Sequence, residues 1–176
     1  MADTFEQSMT KTMSDFDSKV LPILKKKYPG MKYVEIEGRA NDKVTRDFDI
    51  YAGIDVYRVR PDVYEMIGIA SRIQRGKVWR TFTVRKSRNS GTATEYAKRK
   101  RAIHTGSLYP ALTLQAYIDG EKVIIGMVRT RDLIDYIDKY NPQVKKTGQD
   151  QRGQAEFYIC PWEDIKERGY KVVVLT

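Results

Sequence analysis

Apolar residues recur at helical spacing from Thr4 to Lys27, where Phe5, Met9, Met13, Phe16, Val20, Leu21 and Leu24 fall on one side before Pro29-Gly30 ends the pattern. The spacing predicts an amphipathic first helix, kinked or broken near Leu21 because Pro22 lies inside it. Met31 to Ile36 then alternates as a strand, with Glu35 and Glu37 opposite Val34 and Ile36, and the polar stretch Gly38 to Lys43 closes it. Asp47 to Val59 reads as a second strand and Pro61-Asp62 as a turn. Met66 to Gln74 reads as a third strand, with Ile67, Ile69, Ser71 and Ile73 on one face and Gly68, Ala70, Arg72 and Gln74 on the other. In a fourth strand, Val78 to Arg85, the core face is Val78, Arg80, Phe82 and Val84, which leaves Trp79 and Arg85 facing outward.

The loop Lys86 to Gly91 leads into a helix from Thr92 to about Ile103, opened by the capping pattern Thr92-x-x-Glu95. A basic loop containing Ser90 and Gly91 at a helix start is suited to cradle phosphate. Leu112 to Ile118 and Lys122 to Val128 form a hairpin about Asp119-Gly120, and Thr130 caps a helix carrying Leu133, Ile134 and Ile137. Asn141 to Gly153 is polar and basic, and is expected to be mobile. Glu156 to Ile159, a short helix near Pro161-Trp162, and Tyr170 to Leu175 complete the chain. This order predicts a single α/β (α+β) domain: a central mixed sheet flanked by helices.

Charge sharpens the picture. From Arg72 to Arg101 there are eleven Lys or Arg residues and one acid, Glu95, so this segment accounts for the whole net charge of +9 and leaves the rest near neutral. An exposed structural helix interleaves Glu with Lys, whereas this segment does not, and a localised cationic footprint points to nucleic acid. Trp79, Tyr96 and Tyr109 lie in or beside it, as rings that stack on unpaired bases would. No apolar run approaches the roughly 20 residues of a membrane span, and Met1 to Lys11 lacks a signal-peptide core. A soluble, cytoplasmic protein is expected.

One cysteine, Cys160, and one histidine, His104, exclude an intramolecular disulfide framework and a zinc-ligand set. Cys160 lies in an apolar run and reads as a buried side chain, and His104 as a group near a helix C-terminus. Any metal would be a hard ion held by oxygen, Mg or Mn. Asp47, Asp49 and Asp55 are separated by even numbers of residues and would share one face of a continuous strand. Carboxylates beside a cationic segment are what a magnesium-dependent phosphodiesterase needs, although acids in loops more often pair with neighbours such as Arg46 or Arg58. Asp55 differs because it interrupts the apolar run Ala52-Gly-Ile-Asp-Val-Tyr57, where a carboxylate needs a partner or a metal.

From Thr4 to Ile118 the element order, with Gly53-Ile54-Asp55 on the second strand, resembles the PD-(D/E)XK nuclease superfamily. The resemblance implies a restriction-endonuclease-like core in which Asp55 binds the metal. The family's third-strand acid-x-Lys is absent from both Ala70-Ser71-Arg72 and Arg72-Ile73-Gln74, and Glu95 with Lys98 on the next helix are its substitutes. The resemblance then implies catalytic Asp55, Glu95 and Lys98, with Asp47, Asp49, Asp55 and Glu95 as metal ligands and Gln74 as a neutral oxygen donor. Arg72, Trp79, Arg85, Lys86, Arg88, Ser90, Gly91, Lys100 and Arg101 would contact DNA, which is favoured over RNA. Two other readings keep the basic surface and drop the metal. One is a non-catalytic nucleic-acid-binding module, and the other a small viral or mobile-element accessory protein that docks on an acidic partner.

Overall fold

A computed structural model of the chain describes residues 5–36, 52–88, 93–146 and 155–176. The first helical region runs through α1 (Phe5–Asp15), a π-helical turn (Phe16–Val20) and α2 (Leu21–Lys27). Phe16, Val20 and Leu24 are its buried stripe, at the spacing read from the sequence. The expected kink takes the form of the π turn: the Leu21 N–H reaches back to the Phe16 carbonyl immediately before Pro22, which has no N–H to continue the α-helical ladder.

The main sheet contains β1 (Lys32–Glu35), β2 (Val56–Arg60), β3 (Glu65–Arg75), β5 (Leu112–Asp119), β6 (Lys122–Arg129) and β9 (Val172–Leu175), hydrogen-bonded in that order. Its neighbours are antiparallel except β3 and β5, which run parallel from Ile69 opposite Leu112 to Arg75 opposite Ile118. A parallel pair needs a long crossover. Here the crossover carries β4 (Thr81–Arg88) and α3 (Glu95–Thr105). The β5–β6 hairpin turns at Gly120, whose φ of 59° favours glycine.

One mixed sheet was the expectation for all the strands, but β4 leaves it. It pairs with β8 (Ala155–Pro161), which pairs in turn with β7 (Val144–Lys146), as a second, three-stranded sheet. The stretch expected to be a mobile loop thus supplies β7. Both sheets share a core: Phe82 and Val84 of β4 pack with Tyr117, Ile124 and Val128 of the main sheet, with Leu133, Ile134, Tyr136 and Ile137 of α4 (Thr130–Tyr140), and with Trp162 and Ile165 of α5 (Trp162–Glu167). The opposite face of the main sheet buries Val56, Ile69, Leu114, Ala116, Ile125 and Met127 against Phe16, Val20 and Leu24. Cys160 is fully buried, as expected, and burial pushes its thiol pKa well up. No described helix is long and apolar enough to cross a membrane.

Candidate nucleic-acid interface

Thr94, not Thr92, is the residue that caps α3. Its hydroxyl accepts a hydrogen bond from the Ala97 N–H at 3.5 Å and donates to the Lys86 carbonyl at 3.1 Å. Glu95 is therefore the first helical residue rather than the third, and its carboxylate turns towards the sheets. There Arg72 of β3 donates to Oε1, and the Arg85 backbone N–H of β4 donates to Oε2 at 3.2 Å. The Arg85 guanidinium lies 4.0 Å from the same Oε1. One turn along α3, Arg99 is only 8% exposed and feels the charges of both Glu95 and Asp55.

Burial alone would raise the Glu95 pKa, but Arg72, Arg99 and Arg85, with the Arg85 N–H, hold it at about 2. Asp55 lies just before β2 and accepts the Ser71 N–H of β3 at 2.5 Å. The fold thus brings Asp55, Arg72 and Glu95 from three separate elements to one locus around Arg99. Arg72 also donates to Thr83 Oγ1 at 3.1 Å, and Thr83 donates to the buried Gln115 Oε1 at 3.2 Å, which ties β3, β4 and β5 together.

In the described part of this cluster the carboxylates already have partners. Glu95 has both carboxylate oxygens engaged, by the Arg72 guanidinium and the Arg85 N–H, and Asp55 has one taken by a backbone N–H. Among the described residues no group of three His, Cys, Asp or Glu side chains converges. Asp47 and Asp49, and with them the shared-face argument, lie outside the described residues, as do Ser90, Gly91 and Thr92. Lys98 is half-buried on α3.

The second sheet carries the more open surface. Trp79, 52% exposed, faces outward as the alternation indicated, but it lies just before β4 and not inside it, and Arg80, expected on the core face, is exposed. Lys77 Nζ lies 4.3 Å from its ring centroid and Lys145 Nζ of β7 lies 5.9 Å away. Lys145 is opposite Phe157 in the β7–β8 ladder, and Phe157 is opposite Arg85 in the β4–β8 ladder, so these three side chains share a face. The guanidinium groups of Arg72 and Arg85 stand over the Phe157 ring at 5.1 and 5.3 Å. The result is a continuous strip in which two rings each carry two cations. Tyr117 anchors it: its hydroxyl donates to the Thr81 carbonyl at 2.8 Å and accepts the Thr81 N–H at 3.2 Å.

Other expected contacts lie elsewhere. Lys86 stands over Tyr158, on the other face of the second sheet, with Glu156 3.8 Å from its ammonium. Lys100 is held by Asp138 at 2.9 Å, with Tyr96 bonded to the same carboxylate, so the Tyr96 ring belongs to the α3–α4 junction and not to an open stacking platform. Arg88 is half-buried at the end of β4, opposite Ala155, and Arg101 is exposed on α3. Sequence reasoning missed Lys77, Lys145, Phe157 and the buried role of Arg99. Arg72 and Arg85, and the exposure of Trp79, were readable from the sequence. No known protein family, curated protein or solved structure matches the chain.

Proposed function

We propose that the protein is a nucleic-acid-binding module that takes an unpaired strand, DNA in the first instance, on the exposed face of its second sheet. The observation that supports this reading most strongly is the strip from Trp79 to Phe157. The half-exposed Trp79 ring offers stacking to any base, and Lys77 and Lys145 beside it are placed for the backbone phosphates. The arginine cluster around Glu95 supports binding over cleavage, because its two carboxylates are already engaged by cationic and N–H groups.

Fluorescence anisotropy with a labelled single-stranded oligonucleotide and the matching duplex tests this. Trp79→Ala should weaken single-strand binding about tenfold, since one base–ring stack contributes about 1–3 kcal/mol. Equal affinity of wild type and variant, or indifference to DNA at low salt, would reject the proposal, and the latter would favour an acidic protein partner. Incubating the same oligonucleotides with magnesium or manganese addresses the nuclease reading. Cleavage that Asp55→Asn abolishes would replace a binding module with an enzyme.

A further inference from the structure

Away from the aromatic strip, on the opposite face of the main sheet, lies a second recess with a different chemistry. Arg58 of β2 shares its face with Val56 and Ile69, against the first helical region, whereas Arg72 of β3 projects from the other face. Beside Arg58 is an open pocket of about 700 Å³ whose floor includes Leu112, Met127 and Val173 and whose rim includes Tyr28, Tyr170 and Lys171. That volume lies within the range of small-molecule sites.

Arg58 itself is the informative residue. Its guanidinium stacks on the Tyr28 ring at 5.6 Å, its Nε is shielded from solvent without a hydrogen-bond partner, and no carboxylate among the described residues pairs with it. Directly across the β1–β2 ladder, the Tyr33 hydroxyl is likewise buried and unpartnered among the described residues. A guanidinium is charged at every physiological pH, so a half-buried one without a counter-ion is destabilising unless something anionic joins it. Lys171 lines the far, β9 end of the pocket, while Arg129 at the rim is already bonded to Asp132 at 2.9 and 3.1 Å.

We propose that this pocket binds a small planar organic anion of the nucleoside monophosphate class, its phosphate on Arg58 beside Tyr28 and its ring on the apolar floor towards Tyr170. The apolar floor takes the planar body and Arg58 takes the anion, a division that inorganic phosphate or an uncharged nucleoside satisfies only by half.

Thermal-shift and calorimetric titration of the full chain with adenosine monophosphate, adenosine and inorganic phosphate, for wild type, Arg58→Met and Trp79→Ala, tests it. Arg58→Met keeps an apolar side chain of similar length and removes the guanidinium, and a melting temperature near that of wild type shows that the variant is folded. Adenosine monophosphate should stabilise wild type and Trp79→Ala alike, and bind Arg58→Met at least tenfold more weakly. Adenosine and phosphate should each bind at least tenfold more weakly than the nucleotide. Failure of the nucleotide to shift the wild type at millimolar concentration would overturn the proposal, as would equal binding by Arg58→Met, or loss of binding in Trp79→Ala instead. Phosphate binding as tightly as the nucleotide would overturn the assignment of ligand class.

Discussion

Glu95 is the single acid among eleven cations in its segment, and the fold spends it on three arginines at once. Its carboxyl is held at about 2, below the ordinary 4.5, so its contribution to stability is fully present above about pH 5 and is lost as the pH falls through 2. With the side chain 24% exposed, a depression of this size corresponds to roughly 3 kcal/mol. Glu95→Gln should therefore lower unfolding free energy by about 3 kcal/mol at pH 7, because it leaves Arg72, Arg85 and Arg99 without their shared counter-charge. It should also flatten the fall in stability between pH 5 and pH 2. Urea denaturation across that range measures both, and a variant as stable as wild type at pH 7 would show that Glu95 is not the keystone of the cluster.

At the scale of elements, packing between the main sheet and α5 is the tightest joint. Gly126 of β6 lies directly under the Trp162 indole, and a Cβ added there would overlap the ring atoms. Trp162 is fully buried, against Phe82 of β4 and Tyr117 of β5, so it has no room to withdraw. Gly126→Ala should cost about 2 kcal/mol by overpacking, read as a lower urea midpoint with an unchanged slope. Alternation made much of this legible beforehand: Phe82 and Val84 inward, Trp79 outward, and the Ile67 to Ile73 face of β3 all follow from the period of two. The pairing of β4 with β8 was not legible. Alternation says which side chains are buried and nothing about which distant strand supplies the hydrogen bonds, and a three-residue strand inside a polar stretch, β7, has too few positions to show a period. Arg99 was hidden for a related reason. As one cation in a run of four, Lys98 to Arg101, it differs from its neighbours only through the contacts that bury it.

For the whole molecule, the basic segment divides into cations spent internally and cations left for a ligand. Arg72, Arg85 and Arg99 neutralise acids, Lys86 and Lys100 pair with Glu156 and Asp138, and Lys77 with Lys145 remain on the open strip. The salt dependence of nucleic-acid binding should accordingly be gentler than a raw count of eleven cations suggests. About two phosphate contacts to a single strand, from Lys77 and Lys145, give a slope near −1.5 for log affinity against log salt. Anisotropy titrations at several potassium chloride concentrations measure the slope, and a value near −7 would mean that the internal pairs open on binding.

The two rings of the strip lie far apart in the chain: Trp79 sits in the β3–β5 crossover, whereas Phe157 and Lys145 arrive only with β8 and β7. During synthesis the ribosome therefore releases Trp79 and the arginines well before the strands that complete the strip, and a polypeptide arrested before Val144 carries a net charge of +8 out of +9 but lacks Lys145, Phe157 and both strands that present them.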